Sequence, residues 1–320
     1  MARHLTVSII NYNTGPMTID CVKSVLADLG GLDGEVIVVD NASADGSADE
    51  IADWIAAQAP PCPVRLVRSP TNTGFSGGHN LGMGAQEADF HLLLNSDALL
   101  RPGALRALLA AAQAAPAAGM LAPRIEHEDG TQQTSCFRFP GPASELIAGA
   151  MSGPVTRLLK RHDVPLKMPP DPDSIDWASF ACILLRGAMV AQLGPMDEGY
   201  FLYFEDAEYC LRARRAGWRV VHVPEARVVH LRGRSGPVKE LARQRARLPA
   251  YYWASRARFL VQAHGRAGLL AANLGWYLGR GVAWLRPLGG RPVPKTTARA
   301  GRDMWINFLS PLGDRRGPEA

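Results

Sequence analysis

The residues of this chain best suited to chemistry are a few carboxylates and one imidazole, placed at the ends of short apolar runs. Asp40, Asp97 and His230 each close or directly follow such a run, and Asp206 stands beside Glu205 after an aromatic run. A carboxylate can accept an N–H group, bind a divalent cation or take up a proton, and an imidazole can add a nitrogen ligand to a metal. The spacing therefore indicates a site assembled from several loops.

The segments around these residues alternate between strand and helix patterns. We predict strands at 5–10, 35–40, 64–68 and 90–95, with helices at 17–29, 48–59 and 78–87 between them. This alternation indicates βαβ units and a mostly parallel sheet, whose ligands bind beyond the carboxyl ends of the strands. Further along, we expect a helix at 103–115, a strand pair over 119–139 and a mobile Pro/Gly-rich loop over 140–176. Strand character returns at 177–186, a basic helix follows at 207–216, and short strands are expected at 220–223 and 228–231.

Composition favours a folded protein in a reducing compartment. The 320 residues are 47% hydrophobic and 20% charged, which supports a sizeable core. Five scattered cysteines indicate free thiols instead of a disulfide framework. The N-terminus runs directly into a predicted strand without a signal-peptide pattern, so we expect a cytoplasmic location.

Charge is unevenly distributed along the chain. Residues 1–211 contain 13 Lys/Arg and 25 Asp/Glu, whereas residues 212–302 contain 20 Lys/Arg and only Glu225 and Glu240. A basic region of this kind is typical of proteins that meet phosphate, as a nucleotide, a nucleic acid or an anionic lipid surface.

The order of the motifs resembles that of the inverting family 2 glycosyltransferases, and among them the rhamnosyltransferase-like branch. The matching features are a strand-end Asp, a strand-end Asn-Ser-Asp, a Glu-Asp pair and a His, within residues 5 to 235. The resemblance implies an A-type, Rossmann-like nucleotide-diphospho-sugar transferase fold, of the α/β class with a mostly parallel central sheet. It also implies a nucleotide-sugar donor, with dTDP- or UDP-sugars favoured, and a glycan or lipid-linked acceptor.

The predicted nucleotide site begins at the ends of the first two strands, with Asn11, Asn13, Asp40 and Asn41. A strand-end carboxylate can accept the N3–H of uracil or thymine, which is the role that the resemblance implies for Asp40. The alternative is that Asp40 caps the following helix together with Asn41 and Ser43.

A glycine-rich run supplies a second group of predicted donor-binding residues: Asn72, Gly74, Phe75, Gly78 and Asn80. Glycines would let backbone amides approach an anion at a helix N-terminus. The spacing does not match a dinucleotide fingerprint, and by itself the run fits a plain turn equally well. It resembles the Asn-x-Gly-Phe-x-x-Gly-x-Asn run of the rhamnosyltransferase-like branch.

Asn95-Ser96-Asp97 stands where this family carries a metal-binding Asp-x-Asp motif, with only the last carboxylate kept. The resemblance implies a divalent cation, Mn²⁺ or Mg²⁺, held by Asp97, His230 and the donor, with Asn95 also on the donor side. One carboxylate is a poor divalent site by itself. For His230 the alternative is a hydrogen-bonded, half-buried strand residue.

By the same resemblance Asp206 is the general base, and Glu205 supports it or reaches the donor sugar. The aromatic residues before them would raise the carboxylate pKa towards neutrality. Alternatively, both carboxylates complement the dipole of the helix that follows. Arg232 and Arg234 are candidate contacts to the diphosphate, as are Arg212, Arg214 and Arg215, although an arginine cluster is also typical of a solvated face.

We predict a catalytic domain over residues 1–238 and a helical, basic and aromatic region over 239–320. Cationic and aromatic residues at helical spacing suit an anionic membrane surface, and 269–285 is expected to be interfacial or re-entrant, with a membrane-spanning helix as the less favoured alternative. Peripheral association with the inner face of the plasma membrane follows as an expectation, and ordinary packing onto the catalytic domain is the alternative.

The function predicted from all of this is transfer of a sugar, with rhamnose from dTDP-rhamnose favoured, to a lipid-linked or polysaccharide acceptor in cell-envelope glycan synthesis. Alternatives are a UDP-hexose transferase and an inactive glycosyltransferase-like partner protein. A nucleic-acid-binding protein is disfavoured, because it would leave Asp40, Asp97 and Asp206 unexplained.

Overall fold

The computed structural model describes residues 3–59, 62–231 and 238–318. The strands are β1 (Arg3–Asn11), β2 (Gly34–Asp40), β3 (Val64–Arg68), β4 (Ala88–Asn95), β5 (Ala98–Leu100), β6 (Ala118–Glu126), β7 (Cys136–Phe137), β8 (Trp177–Ala178), β9 (Cys182–Arg186) and β10 (Arg219–His230). The α-helices are α1 (Gly15–Leu29), α2 (Ser47–Ala56), α3 (Gly74–Gly84), α4 (Ala104–Ala114), α5 (Pro142–Ala150), α6 (Gly153–Leu158), α7 (Gly187–Leu193), α8 (Glu205–Arg215), α9 (Val238–Arg243), α10 (Ala250–Trp284) and α11 (Ala300–Asp303).

Within the described residues, eight strands form one sheet in the order β3-β2-β1-β4-β9-β6-β10-β5. Strands β1 to β4 are parallel to one another, as their buried apolar runs predict. Their register places Asn11 beside Asp40 and Ile10 beside Asn95, so the carboxyl ends of β1, β2 and β4 share one edge. The predicted α/β fold with a mostly parallel sheet is confirmed.

Helices cover both faces of this sheet. On one face, α1 buries Val25 over β1 and β5 and α4 buries Leu105 over β6 and β10, and on the other face α8 buries Tyr209 and Cys210. Cys21, Cys136, Cys182 and Cys210 are buried free thiols, while Cys62 is partly exposed. Burial raises the pKa of the Cys136 thiol to about 12, which keeps that thiol unreactive.

Helix α3 begins four residues earlier than predicted, so its glycines belong to the helix and not to a loop before it. The reason is close packing on β1. A Cβ on Gly78 would lie 2.8 Å from Ile10 Cδ1, and one on Gly82 would clash with Ser8 Oγ. The glycine run therefore lets the helix approach the sheet.

The middle of the chain also differs from expectation. The predicted strand pair over 119–139 is instead one central strand, β6, followed by a short β7 that pairs with β8. The segment expected to be a loop contains α5 and α6. The two strands expected near the end of the sheet are one strand, β10, with an irregular register between Val223 and Arg227, around Pro224.

The C-terminal region packs on the rest of the protein through α10. Helices α5 and α10 cross at glycines, since a Cβ on Gly149 would clash with Trp276 O and one on Gly279 with Leu146 O. Arg256, only 3% exposed, binds Glu145 of α5 at 3.0 Å. Packing explains this part of the basic region better than a lipid surface does. The domain boundary at residue 238 stays a prediction.

A membrane-facing role was also expected for Tyr251, Tyr252 and Trp253, yet these rings pack internally. Tyr251 contacts Phe201 at a centroid distance of 5.4 Å, and Tyr252 contacts Phe204 at 5.6 Å. None of the helices in the described part of the chain is long and apolar enough to cross a membrane.

Candidate active site

Asp40 and Asn11 form the centre of a buried polar network at the carboxyl edge of the sheet. Asn11 Nδ2 donates to Asp40 Oδ1 at 2.8 Å and to Ser47 Oγ at 2.8 Å. The Ser43 amide donates to Asp40 Oδ2 at 3.2 Å. Helix α2 begins after Gly46, so Asp40 organises the loop after β2 and does not cap that helix.

Asn41 ties the loop after β2 to the start of α3. Its amide donates to Asn72 Oδ1 and to Gly74 O, both at 3.0 Å, while its Oδ1 accepts from Thr73 N at 2.9 Å. Gly74 has φ of 72°, and a Cβ there would clash with Phe201 O. The Phe75 amide donates to the same oxygen at 2.8 Å, which fixes the approach of the segment before α8.

Three predicted donor-binding residues have structural contacts instead. Asn13, with φ of 55°, accepts from the Ala44 amide at 2.9 Å. Gly78 packs on β1. Asn80 donates to Met196 O at 2.9 Å and accepts from the Met196 amide at 2.9 Å. None of the three lines the cavity described below, and neither do Asn11, Asp40, Asp97, Glu205, Asp206 and His230.

Asp97 and His230 are brought together as predicted. Asp97 is fully buried and His230 is 8% exposed, and Asp97 Oδ1 lies 3.3 Å from His230 Nε2. The pair is held by the backbone, since the Leu231 amide donates to Asp97 O at 2.9 Å and Gln133 Nε2 donates to His230 O at 2.9 Å.

The chemistry of this pair fits one side of a divalent cation site. A carboxylate oxygen and an imidazole nitrogen at this separation can both reach one ion. No group of three or more such ligands occurs among the described residues, so phosphate oxygens and water would complete the coordination. Asn95 and Ser96, just before Asp97, line the cavity.

Glu205 and Asp206 open helix α8. The two residues before them, Tyr203 and Phe204, have φ of 71° and 69°, a left-handed conformation that costs roughly 1–3 kcal/mol per residue for side chains of this size. This turn delivers the two carboxylates to the edge of the sheet beside Phe201. Backbone strain of this kind is concentrated at functional sites.

The two carboxyl groups have different environments. Glu205 is 5% exposed, and burial and the neighbouring Asp206 raise its pKa well above the usual range. Asp206 is partly exposed and accepts from the Ala207 amide at 2.8 Å. Loss of hydration raises the pKa of Asp206 to about 7, although its backbone hydrogen bonds oppose this. Asp206 can therefore exchange a proton near neutral pH.

A cavity of about 580 Å³ lies along this edge of the sheet. One wall comes from the strand-end loops and α3, and the other from the chain before α8 and after α9. Its described lining residues are Ile10, Tyr12, Thr14, Asn41, Asn72, Gly74, Phe75, Asn95, Ser96, Phe201, Leu202, Arg247, Leu248, Pro249, Ala250, Tyr251, Gly317 and Pro318. The size suits a ligand of drug or nucleotide dimensions.

Sequence reasoning missed many of the residues that line this cavity. Tyr12 and Thr14 interleave with the predicted Asn11 and Asn13, and alternation of side chains at a strand end could have suggested them. Residues 247–251 and 317–318 carry no motif and reach the cavity only through folding. Their position could not be read from spacing.

Of the arginines predicted to bind phosphate, the three that the structure describes do not gather at this site. Arg232 and Arg234 lie outside the described residues. Arg212 binds Glu208 at 2.6 Å, Arg214 lies 3.6 Å from Asp176, and Arg215 donates to Gln262 O at 3.1 Å. These last three support α8 instead.

The glycosyl transferase family 2 model matches residues 6–148. Over 269 residues the chain is 32% identical to the N-acetylglucosaminyl-diphospho-decaprenol L-rhamnosyltransferase of Mycobacterium tuberculosis, covering 78% of this chain and 81% of that relative. The chain belongs to glycosyltransferase family 2. This glycosyltransferase is also 25% identical to a low-salt glycan biosynthesis hexosyltransferase of Haloferax volcanii, over 67% of this chain and 63% of the relative.

Solved structures confirm the A-type fold of this glycosyltransferase. The mannosyltransferase of Pyrobaculum calidifontis, in complex with GDP-Man and Mn²⁺, matches with a TM-score of 0.57 at 15% identity, over 98% of this chain and 86% of that one. TarS of S. aureus in complex with UDP matches with a TM-score of 0.51 at 15% identity, over 89% and 74%.

Proposed function

We propose that this glycosyltransferase is an inverting enzyme that moves L-rhamnose from dTDP-rhamnose to a hydroxyl of a lipid-linked acceptor in cell-envelope glycan synthesis. The observation that carries the proposal is Asp206, a carboxyl group with a pKa of about 7 that follows a strained turn, four residues after the cavity residue Leu202. A base with this pKa can take a proton from an acceptor hydroxyl at neutral pH.

In the proposed reaction the acceptor oxygen attacks the anomeric carbon from the face opposite the diphosphate. Asp206 takes the hydroxyl proton as the new C–O bond forms. The old C–O bond breaks and the nucleoside diphosphate leaves with its electron pair. Glu205 is buried beside Asp206, whose charge adds to the effect of burial in raising the pKa of Glu205, and we assign Glu205 the supporting role.

The donor nucleotide is proposed to lie along the strand-end wall, with Asn11, Asp40 and Asn41 on the base and ribose side and Asn72, Gly74 and Phe75 beside it. The buried network around Asp40 supports this arrangement, because it keeps these loops in one conformation. Asn95 and Asp97 would lie on the diphosphate side.

A divalent cation, Mn²⁺ or Mg²⁺, is proposed to bind Asp97 and His230. When bound, the cation neutralises charge on the diphosphate leaving group. The 3.3 Å distance between Asp97 Oδ1 and His230 Nε2 supports the assignment. The complex of the Pyrobaculum calidifontis mannosyltransferase with GDP-Man and Mn²⁺ supports it as well.

The proposed identities of the sugar and the acceptor are based on the relatives. The Mycobacterium tuberculosis relative, an N-acetylglucosaminyl-diphospho-decaprenol L-rhamnosyltransferase, supports rhamnose as the sugar and a diphospho-polyprenol carrying N-acetylglucosamine as the acceptor. The hexosyltransferase relative favours the second candidate, a UDP-hexose donor.

A cytoplasmic enzyme bound peripherally to an anionic membrane surface fits a lipid-linked acceptor. The face of α10 that does not pack supports this placement. Leu274, Leu278 and Leu285 are 49%, 65% and 61% exposed, and Trp284 is 71% exposed. Arg280 lies on the same helix, and apolar side chains with nearby cations are typical of interfacial helices. Combined Leu274→Ser and Leu278→Ser substitutions should reduce sedimentation with anionic vesicles; unchanged sedimentation contradicts this placement.

Thermal unfolding with dTDP-rhamnose, UDP-glucose, UDP-N-acetylglucosamine and GDP-mannose, each with and without Mn²⁺, tests the donor first. A ligand present at 100 times its Kd stabilises the native state by about 2.7 kcal/mol. A shift with dTDP-rhamnose alone supports the proposal, and a shift with a UDP-hexose alone supports the second candidate. Transfer to an N-acetylglucosaminyl-diphospho-lipid with inverted anomeric configuration then tests the reaction. Binding without transfer to any acceptor would favour an inactive partner protein.

A further inference from the structure

The cavity has very little charge on its described walls. Among the lining residues that the structure describes, Arg247 is the one that is charged at neutral pH. The other polar groups there are amides, hydroxyls and the phenols of Tyr12 and Tyr251. A nucleoside diphosphate brings at least two negative charges, so this cation is well placed to be a binding group.

Arg247 is held in a defined orientation from outside the cavity. Its Nε and Nη2 donate to Asp303 Oδ2 and Oδ1 at 2.7 and 3.0 Å, a two-pronged contact. Asp303 is 2% exposed, whereas the Arg247 side chain is 51% exposed. The carboxylate therefore anchors one edge of the guanidinium, and the exposed remainder lies at the cavity wall.

The backbone around Arg247 is fixed as well. Leu248 is 7% exposed and packs in a cluster with Phe201 and Met304. The Ala298 amide donates to Arg245 O at 2.9 Å, which joins the segment between α9 and α10 to the chain before α11. A cation fixed on both its side chain and its backbone loses little entropy when it binds a ligand.

We propose that Arg247, positioned by Asp303, binds a diphosphate group in the cavity. The inference rests on the proposed function and adds a binding residue from outside the strand-end loops. Two ligands of the reaction could carry this group: the nucleotide donor and a lipid-diphosphate acceptor. The competing interpretation is that the Arg247–Asp303 pair only joins two segments of the C-terminal region.

Arg247→Gln alone leaves the buried Asp303 carboxylate without its cation, which destabilises a fold strongly. We therefore compare Arg247→Gln with the double variant Arg247→Gln/Asp303→Asn, which removes both charges. Arg247→Lys keeps the charge and loses the two-pronged geometry. Arg243→Gln is the matched control, because Arg243 is 78% exposed, pairs with Glu240 and does not line the cavity.

The binding experiment uses calorimetry of the full chain with dTDP, UDP and thymidine, alongside the Michaelis constants for a lipid-diphosphate acceptor and for its phosphate-free analogue. We expect Arg247→Gln to weaken the binding of one diphosphate ligand by about tenfold to a hundredfold. This is the typical contribution of a hydrogen bond to a charged group. Arg247→Lys should recover part of the loss, and Arg243→Gln should match the wild type.

The outcomes separate the ligand source. Weaker dTDP or UDP binding with unchanged thymidine binding assigns Arg247 to the donor. A raised Michaelis constant for the diphosphate acceptor, but not for its phosphate-free analogue, assigns it to the acceptor. If folded variants keep both the nucleotide affinity and the Michaelis constant for the acceptor, the inference is wrong and the proposed function still stands. The same conclusion follows if binding weakens equally for ligands with and without phosphate. A wild-type protein that binds no nucleotide overturns both.

Discussion

Replacing Asp206 by asparagine would separate the catalytic use of this carboxylate from its cost to stability. Burial raises its pKa from 3.8 to about 7, a difference of about three pH units. At about 1.4 kcal/mol per unit, holding the charged form in this environment costs on the order of 4 kcal/mol of folding free energy. The amide has no charge to desolvate.

The sign of the pH dependence follows from proton binding. Between pH 4 and pH 7 the folded protein holds the Asp206 proton more tightly than the unfolded chain does, so wild-type stability falls as pH rises. Asp206→Asn lacks this dependence. The variant should therefore be more stable than the wild type above pH 7, and the difference should vanish below about pH 4.

Activity should change in the opposite direction. Loss of a general base lowers the rate by typically 10²- to 10⁴-fold, while binding of the donor should be nearly unchanged. For the wild type, kcat/KM should rise with pH up to about 7 and then level off, because the base must be deprotonated.

The assays are urea unfolding at several pH values, calorimetry with the donor and a pH–rate profile of sugar transfer. Asp20→Asn is the control for charge removal, since Asp20 is 65% exposed and its pair with Lys23 contributes little. A flat pH–rate profile from pH 5.5 to 8.5, or a variant with full activity, would refute the role of base. An equal loss of donor binding would make Asp206 a donor ligand instead.

Four further substitutions test the remaining architecture. Asp97→Ala should weaken donor binding and remove its dependence on Mn²⁺; calorimetry that finds the affinity indifferent to both the residue and the metal contradicts the cation site. Asn41→Ala should cost about 1–3 kcal/mol of stability, because it leaves buried partners unsatisfied. Gly279→Ala should destabilise the crossing of α5 and α10 by about 1–3 kcal/mol, whereas Gly281→Ala, with open space around it, should stabilise by up to about 1 kcal/mol. Thermal unfolding measures the stability changes of Asn41→Ala and of the two glycine variants. Equal effects of Gly279→Ala and Gly281→Ala would refute the packing argument.

The parallel part of the fold could be predicted because its signals are local. Strands β1, β2 and β4 are buried runs rich in β-branched and leucine residues, whereas β3, at the edge of the sheet, is only partly buried. Observed bounds for these four lie within two residues of the predicted ones. Asp97 and His230 meet through a long-range contact, because the unpredicted strand β5 pairs with β10 and places Ala98 opposite His230.

Other elements depend on contacts that spacing does not encode. Glycines in 74–82 suggested a loop, but they allow α3 to approach Ile10 and Ser8. The composition of 140–176 hid α5, which is stabilised by Gly275 and Gly279 more than a hundred residues later. Arginines that looked like one basic surface bind partners within the fold, as Arg256 binds Glu145 and Arg280 binds the Gly149 carbonyl.

The two walls of the cavity come from separate stretches of the gene. The strand-end wall lies within the first hundred residues, and the opposite wall comes from 201–202, 247–251 and 317–318. Mutation and recombination can therefore remodel one wall while the other is inherited intact. Related enzymes that share this scaffold can keep the same sugar donor and change the acceptor that receives the sugar. For engineering, chimeras joined between the two stretches would exchange one specificity at a time.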